Sequence, residues 1–270
     1  MAGRQAQKKS VLGRMQDHFR SIAPQYRDLR TTDVSPILYI TKKLQDLPKI
    51  HAADIGCGSG RYGLKLIEHL GEKCHLFCLD ANREMLRHLG ENFTQCSVSN
   101  FTPVQSDSHE IPLRTDSLDC IMSFNAIHHF SLPAFLREAS RVLKPNGKLF
   151  LYTRLRDQNE RTIWGMHFPC FSEKERRLYE LDELKSAFEK DPNLSINAVK
   201  LFEHHRVYPL EKLVEQAKNH HYSTFQFYKR REFTESMHRF VQNILAHYKD
   251  LDRITWKDQN TLLVAENIQP

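Results

Sequence analysis

Between about residues 50 and 155, short apolar runs alternate with longer stretches in which apolar residues recur every three or four positions. The runs HAADI (51 to 55), CHLFCLD (74 to 80), FTPVQSD (101 to 107), LDCIMSFN (118 to 125) and KLFLYTRL (148 to 155) predict strands. The stretches GLKLIEHL, REMLRHL and LPAFLREASRVL predict amphipathic helices between them. In LKPNGKLF, a Pro-Asn-Gly turn is expected to end a helix and launch the next strand. Strands and helices in alternation argue for right-handed crossovers and a largely parallel α/β sheet covered on both faces. Ligands of such sheets lie beyond the carboxyl ends of the strands.

After residue 155 the rhythm changes. A mixed helical region, with RTIWGMHFPCF and LYELDELKSAF, precedes a predicted strand in INAVKLFEHHRVYP. Helices follow around 210 to 219 and 231 to 247, and TLLVAEN (261 to 267) predicts a last strand. No internal repeat or Gly/Ser linker marks a separate domain, so the helices between the last two strands read as a cap on the sheet. Three segments result: 1 to 48, helical; 49 to 155, the ligand-binding core; and 156 to 270, the rest of the sheet with the cap.

Composition narrows the class. The chain has 270 residues, 40% hydrophobic and 27% charged, which suits a globular protein with a full-sized core. No apolar run reaches eighteen residues and the amino terminus lacks a signal-peptide core, which argues for a cytoplasmic protein without integral membrane association. The six cysteines form no CxxC pair and no zinc spacing, so no metal site is expected. Cys74 and Cys78 share a strand face and read as buried free thiols. The net charge of +6 is scattered, with a modest cluster at Arg4, Lys8, Lys9, Arg14 and Arg20. Nucleic acid is thus a conceivable partner without being favoured, and no feature sets an oligomeric state.

The candidate chemistry centres on DIGCGSG, where a strand turns into a helix through Gly56, Gly58 and Gly60. Glycines there allow positive φ and close approach of a ligand, and the first helical amides add donors. Asp80, at the end of the next strand, is placed to accept from a ribose diol. The spacing is GxGxG rather than the dinucleotide GxGxxG, and Asp54 precedes it directly. An acid so close to the turn suits an ammonium or sulfonium better than a diphosphate.

With these motifs the sequence resembles the class I S-adenosylmethionine-dependent methyltransferases, in particular the ubiquinone/menaquinone-methyltransferase-like group known as methyltransferase domain type 11. The likeness rests on ADIGCGSG, LFCLDANREML, SDSHEIPLRTDSLDCIMSFNAIHHF, REASRVLKPNGKLFLY and HFRSIAPQYRDLR, which span residues 18 to 155. It implies a Rossmann-like, seven-stranded, mostly parallel sheet with helices on both faces and a helical cap inserted near the carboxyl terminus. The resemblance further implies S-adenosyl-L-methionine as cofactor, with Gly56, Gly58 and Gly60 along its methionyl half and Asp54 at its edge. Asp80 would hold both ribose hydroxyls, Asp107 the adenine amino group, and the Ser108 backbone the adenine ring. Asn125 would lie near the reacting methyl, and Tyr26 would form a lid. Competing structural readings are caps for Asp54 and Asp80, a turn for Asp107, wall residues for His128 and His129, and ordinary packing for Tyr26.

Methyl transfer from a sulfonium requires alignment and exclusion of water more than acid or base. A base matters for an acceptor that must lose a proton; His129 is the candidate, with His205 and His221 as weaker guesses. The aromatic stretches TIWGMHFPCF and HHYSTFQFYKRREF would either enclose an aromatic or anionic small-molecule acceptor or form core. In-line methylation of a small molecule is the first expectation. A tRNA or other RNA methyltransferase, and a non-catalytic protein binding S-adenosylmethionine or S-adenosylhomocysteine, are the alternatives.

Overall fold

The computed structural model describes residues 31–269. In chain order the elements are α1 (Val34–Lys43), β1 (Ile50–Ile55), α2 (Arg61–Leu70), β2 (Cys74–Asp80), α3 (Arg83–Gln95), β3 (Phe101–Gln105), β4 (Leu118–Phe124), α4 (Leu132–Val142) and β5 (Leu143–Thr153). Three short helices follow, α5 (Arg156–Glu160), α6 (Ile163–His167) and α7 (Phe171–Lys174). The chain then forms α8 (Leu181–Glu189), β6 (Leu194–Tyr208), α9 (Leu210–Lys218), α10 (Arg230–His247) and β7 (Ile254–Asn267).

The seven strands form one sheet in the order β3-β2-β1-β4-β5-β7-β6. Pairs among β1 to β5 are parallel, and β7 runs antiparallel to β5. The order reverses between β1 and β4, which opens a crevice at the carboxyl ends of these strands. The α/β architecture expected from the sequence is therefore present.

Two compact units divide the described residues: Thr32–Gln158 with Arg177–Glu203 and the chain from Gln259 onward, and Asn159–Arg176 with His204–Asp258. In the first, the two-residue period of the strands builds two cores. Ala52, Leu76, Cys78, Met122, Phe150 and Tyr152 join one cluster with Ile37 and Ile40 of α1 and Leu66 of α2. The alternate residues Ala53, Leu79, Ile121, Leu149 and Leu151 join the other with Phe135 and Leu136 of α4. Cys74, Cys78 and Cys120 fall in the first cluster as buried free thiols, and burial pushes the Cys74 thiol up to about 12.

β3 ends at Gln105, two residues short of the predicted run, and two boundaries differ further from the sequence expectation. Lys144 to Gly147 form a bulge inside β5 rather than a turn before it: pairing passes from Leu118↔Leu143 to Cys120↔Lys148, and Asn146 has φ 63°. Asn tolerates that left-handed conformation. β7 begins seven residues before TLLVAEN. Its first half, ITWKDQN, hides its period because two of the buried positions are polar, Asp258 and Asn260. Asp258 is satisfied by Arg206 Nε (3.2 Å) and Trp256 Nε1 (2.9 Å), both donating to it.

The second unit has its own core, and it is aromatic. Trp164 stacks on Phe240 (5.1 Å between centroids) and meets Phe225 edge-on at 5.5 Å. Phe168, Phe171, Tyr228 and Trp256 join the cluster, with aliphatic residues such as Ile163, Leu213 and Ile244 around them. The aromatics of TIWGMHFPCF and HHYSTFQFYKRREF thus pack largely on one another, which favours the core reading of these stretches over the pocket reading. No helix among the described residues is long and apolar enough to cross a membrane.

Replacing Trp164 by Ala is expected to cost about 3–5 kcal/mol of stability, since it empties the centre of that cluster. Urea denaturation measures the loss, and a cost under about 1 kcal/mol contradicts the core assignment.

Candidate functional site

The glycine turn leaves β1 and is fastened to the end of β2. Gly56 and Cys57 both donate their amides to the Leu79 carbonyl (2.8 and 3.1 Å). The Gly58 amide donates to Asp80 Oδ2 at 2.8 Å, and the Asn82 amide to Asp80 Oδ1 at 2.8 Å. Asn82 in turn caps α3, its side chain accepting from Glu84 and Met85. Each Asp80 oxygen thus spends one lone pair on the backbone, which fixes the carboxylate plane and leaves acceptor capacity on both atoms.

Gly56 (φ 72°) and Gly60 (φ 80°) sit where a side chain has no room. A Cβ at Gly56 would lie 2.6 Å from Ala126 Cβ and 2.9 Å from the Phe130 ring, and one at Gly60 would lie 2.5 Å from Phe93. These two glycines are required by the protein's own packing.

Asp54 is the penultimate residue of β1, 2% exposed, and its Oδ1 makes no hydrogen bond. Burial, and then the nearby Asp80 charge, push its carboxyl from 3.8 up to about 8. Burial raises Asp80 too, against the two amides that pull it down. Two desolvated acids with an orphaned oxygen form a site whose missing complement is positive charge, and this chemistry fits the cationic methionyl end of S-adenosylmethionine.

Asp107 follows β3 and is half exposed. Three donors converge on its Oδ1: His109 Nδ1 at 2.6 Å, Ser108 Oγ at 3.3 Å and the His109 amide at 3.4 Å. Ser108 itself is buried. The following loop is clamped to α4 by Arg141, which donates to the carbonyls of Leu113 (3.0 Å) and Ile111 (2.8 Å).

Asn125, one residue beyond β4, has φ 53°, donates its amide to the Tyr152 carbonyl (2.7 Å) and accepts at Oδ1 from Asn260 Nδ2 (2.9 Å). His129 closes the 3₁₀ turn Ile127–His129, and its Nδ1 lies 3.5 Å from Arg177 Nη1.

Asp54, the glycines, Asp80, Asp107, Asn125 and His129 therefore share the carboxyl edge of the sheet. His221 belongs to the other unit, where it is 3% exposed in the aromatic core, its ring 5.0 Å from Trp164 and its Nδ1 3.0 Å from the Gln216 carbonyl. His205 is exposed on β6. Tyr26 and the basic residues from Arg4 to Arg20 lie outside the described residues. Asn260 and Arg177 carry no local signal in the sequence; one hides in the polar half of β7, the other in a run of mixed charge. No group of three metal-ligating side chains occurs among the described residues.

Known proteins resemble this chain in sequence and in fold. The family model described as "Methyltransferase domain" matches residues 52–147. The chain is 27% identical over 195 residues to the tRNA (carboxymethyluridine(34)-5-O)-methyltransferase ALKBH8 of Mus musculus, covering 62% of this chain and 26% of that protein. It is 28% identical over 138 residues to the demethylmenaquinone methyltransferase of Listeria monocytogenes, covering 48% of this chain and 58% of that protein. The chain thus spans less than two thirds of either curated relative. The solved structure of the YcgJ protein from Bacillus subtilis shares the fold, with a TM-score of 0.63 at 17% identity, covering 88% of this chain and all of that one. Residues 52–147 therefore match a methyltransferase domain, and the likeness to the class I S-adenosylmethionine-dependent methyltransferases drawn from the motifs is borne out.

The raised Asp54 carboxyl has a consequence for stability. Its folded pKa exceeds its unfolded one, so its contribution is full below about pH 4 and is lost as pH rises to about 8. Asp54→Asn removes that dependence. Urea midpoints should show the variant gaining on the wild type from about pH 4 to about pH 8; a constant difference contradicts the assignment.

Proposed function

We propose that the chain is an S-adenosylmethionine-dependent methyltransferase acting by in-line transfer on a small-molecule acceptor. The observation that carries this reading is the buried pair Asp54 and Asp80 beside the glycine turn. A diphosphate would add like charge there, at about 4 kcal/mol per unit pair 4 Å apart for an effective dielectric near 20. A ligand with ammonium and sulfonium centres reverses the sign.

In this reading Asp54 faces the cationic end, and Asp80 accepts from the ribose hydroxyls with the lone pairs that Gly58 and Asn82 leave. Asp107 accepts the adenine amino group through Oδ2, the oxygen opposite the one its neighbours use, and the Ser108 backbone donates to the ring. Gly56, Gly58 and Gly60 line the methionyl half, and Asn125 lies near the transferred methyl. Tyr26 remains the proposed lid. The donor supplies a methyl group on positively charged sulfur, a good leaving group. The residues of the chain bind it, orient it and keep water out.

The demethylmenaquinone relative supports a small-molecule acceptor. The second reading, a tRNA acceptor, is favoured by the mouse relative and by the net charge of +6. A third, a non-catalytic protein binding the donor or its demethylated product, predicts binding without turnover.

Asp80→Ala is expected to weaken S-adenosylhomocysteine binding about tenfold or more by calorimetry while the variant stays folded; unchanged affinity contradicts the ribose role. Methyl-labelled donor offered to cellular small-molecule and RNA fractions should label the first. Label in RNA, with binding that weakens steeply in salt, favours the second reading.

A further inference from the structure

Asp54 sits on an inner strand of the sheet, its backbone paired with Cys78 of β2 on one side and Met122 of β4 on the other. It cannot swing toward water without breaking both ladders. A Cβ added at Gly63, in the first turn of α2, would lie 3.6 Å from Asp54 Oδ2, so backbone rather than a side chain of this helix backs the carboxyl. Oδ1 is buried and has no hydrogen-bond donor.

The ionisable neighbours supply no compensating charge. Asp80, at the end of β2, is a second acid whose charge opposes ionisation of Asp54. Cys57 in the turn and Cys78 on β2 are hydrogen-bonded to each other, and burial holds the Cys57 thiol protonated. The cations of α2 reach other groups: Arg61 Nη1 donates to Thr32 Oγ1 at 3.1 Å, and Lys65 Nζ to Glu68 Oε2 at 2.6 Å. β4 sets the uncharged Met122 beside Asp54. A carboxylate in such surroundings is costly, and a carboxyl that can neutralise itself keeps its proton instead. Burial and the Asp80 charge accordingly hold the group up to about 8.

We propose that Asp54 carries a proton until a cation is bound beside it and then releases that proton to solvent, so that uptake of the methyl donor is coupled to proton loss. This rests on the reading above, in which Asp54 faces the cationic end of S-adenosylmethionine. The O–H bond of the carboxyl breaks, its electron pair stays on oxygen, and the carboxylate pairs with the ammonium or the sulfonium of the ligand. A neutral ligand offers no charge in exchange and leaves the proton in place. Binding that sheds one proton strengthens about tenfold per pH unit while the free protein holds the proton, and levels off near pH 8.

Protons exchanged on binding are counted by calorimetry near neutral pH, in phosphate and in imidazole, two buffers of different ionisation enthalpy. S-adenosylmethionine presents both cations, S-adenosylhomocysteine the ammonium alone, and methylthioadenosine the same adenine and ribose with neither. The α-amino group of the first two has an ordinary pKa of about 7.7–8.0, so its binding as an ammonium takes up protons and cannot imitate the release. Release approaching one proton is expected with S-adenosylmethionine. None is expected with methylthioadenosine, nor with S-adenosylmethionine and the Asp54→Asn variant. Release with S-adenosylhomocysteine as well assigns the ammonium as the partner, and release with the donor alone assigns the sulfonium.

Equal release with methylthioadenosine, release that persists in the variant, or no release from the wild type overturns the proposal and leaves the cofactor reading standing. Failure of all three ligands to bind overturns both. If the variant does not fold or bind, the wild type decides. Its affinity for the donor relative to methylthioadenosine should rise about tenfold per unit from about pH 6 to about pH 7.5, and a constant ratio overturns the coupling.

Discussion

The hydrogen bond from the Gly58 amide to Asp80 Oδ2 is the constraint on which the site depends. It joins the turn after β1 to the end of β2, so two segments 22 residues apart move as one. The Leu79 carbonyl, accepting from Gly56 and Cys57, doubles that joint. With the backbone so fixed, Asp54 has nowhere to turn, and its carboxyl lies buried next to a second acid without a donor for Oδ1. Folding here leaves an electrostatic cost in place, and a cationic ligand removes it. That is a reason for the site to be selective about the charge of whatever it binds.

The sheet was legible in the sequence because its strands are buried on both faces or alternate cleanly, and because helical periods separate them. CHLFCLD matches β2 residue for residue, the helices at Arg61–Leu70 and Leu132–Val142 lie within two residues of the predicted stretches, and the one at Arg83–Gln95 runs six residues past REMLRHL. Where the reading failed, polarity had been buried by a partner distant in sequence. Asp258 is hidden by Arg206, and Asn260 pairs with Asn125, so the first half of β7 looked like a surface segment. The Pro-Asn-Gly turn failed differently: turn chemistry was correctly read, but a sheet can absorb it as a bulge when the flanking residues keep their pairing.

The acids of the candidate site were readable for a simple reason. Asp54, Asp80 and Asp107 occupy the ends of successive parallel strands, and those ends are set by local pattern. The surroundings of Asn125 and His129 were only half readable, because their partners Asn260 and Arg177 lie far away in the chain. A histidine next to a strand end invites the word base, and its surroundings are set by residues that the local pattern does not name. The aromatic segments of the second unit teach the converse lesson, since interleaved Trp, Phe and His resemble a ligand cage in one dimension and fill a core in three.

Gly56 and Gly60 have an implication for how lineages of such proteins diverge. Both are held by steric demands of Ala126, Phe130, Phe93 and Leu89, none of which belongs to a ligand. A descendant that abandoned its cofactor would still need both glycines in order to fold, while the acid at position 54 would become a pure burden and be free to change. The glycine pattern thus records ancestry, and the side chain just ahead of it records whether the ancestral ligand is still in use.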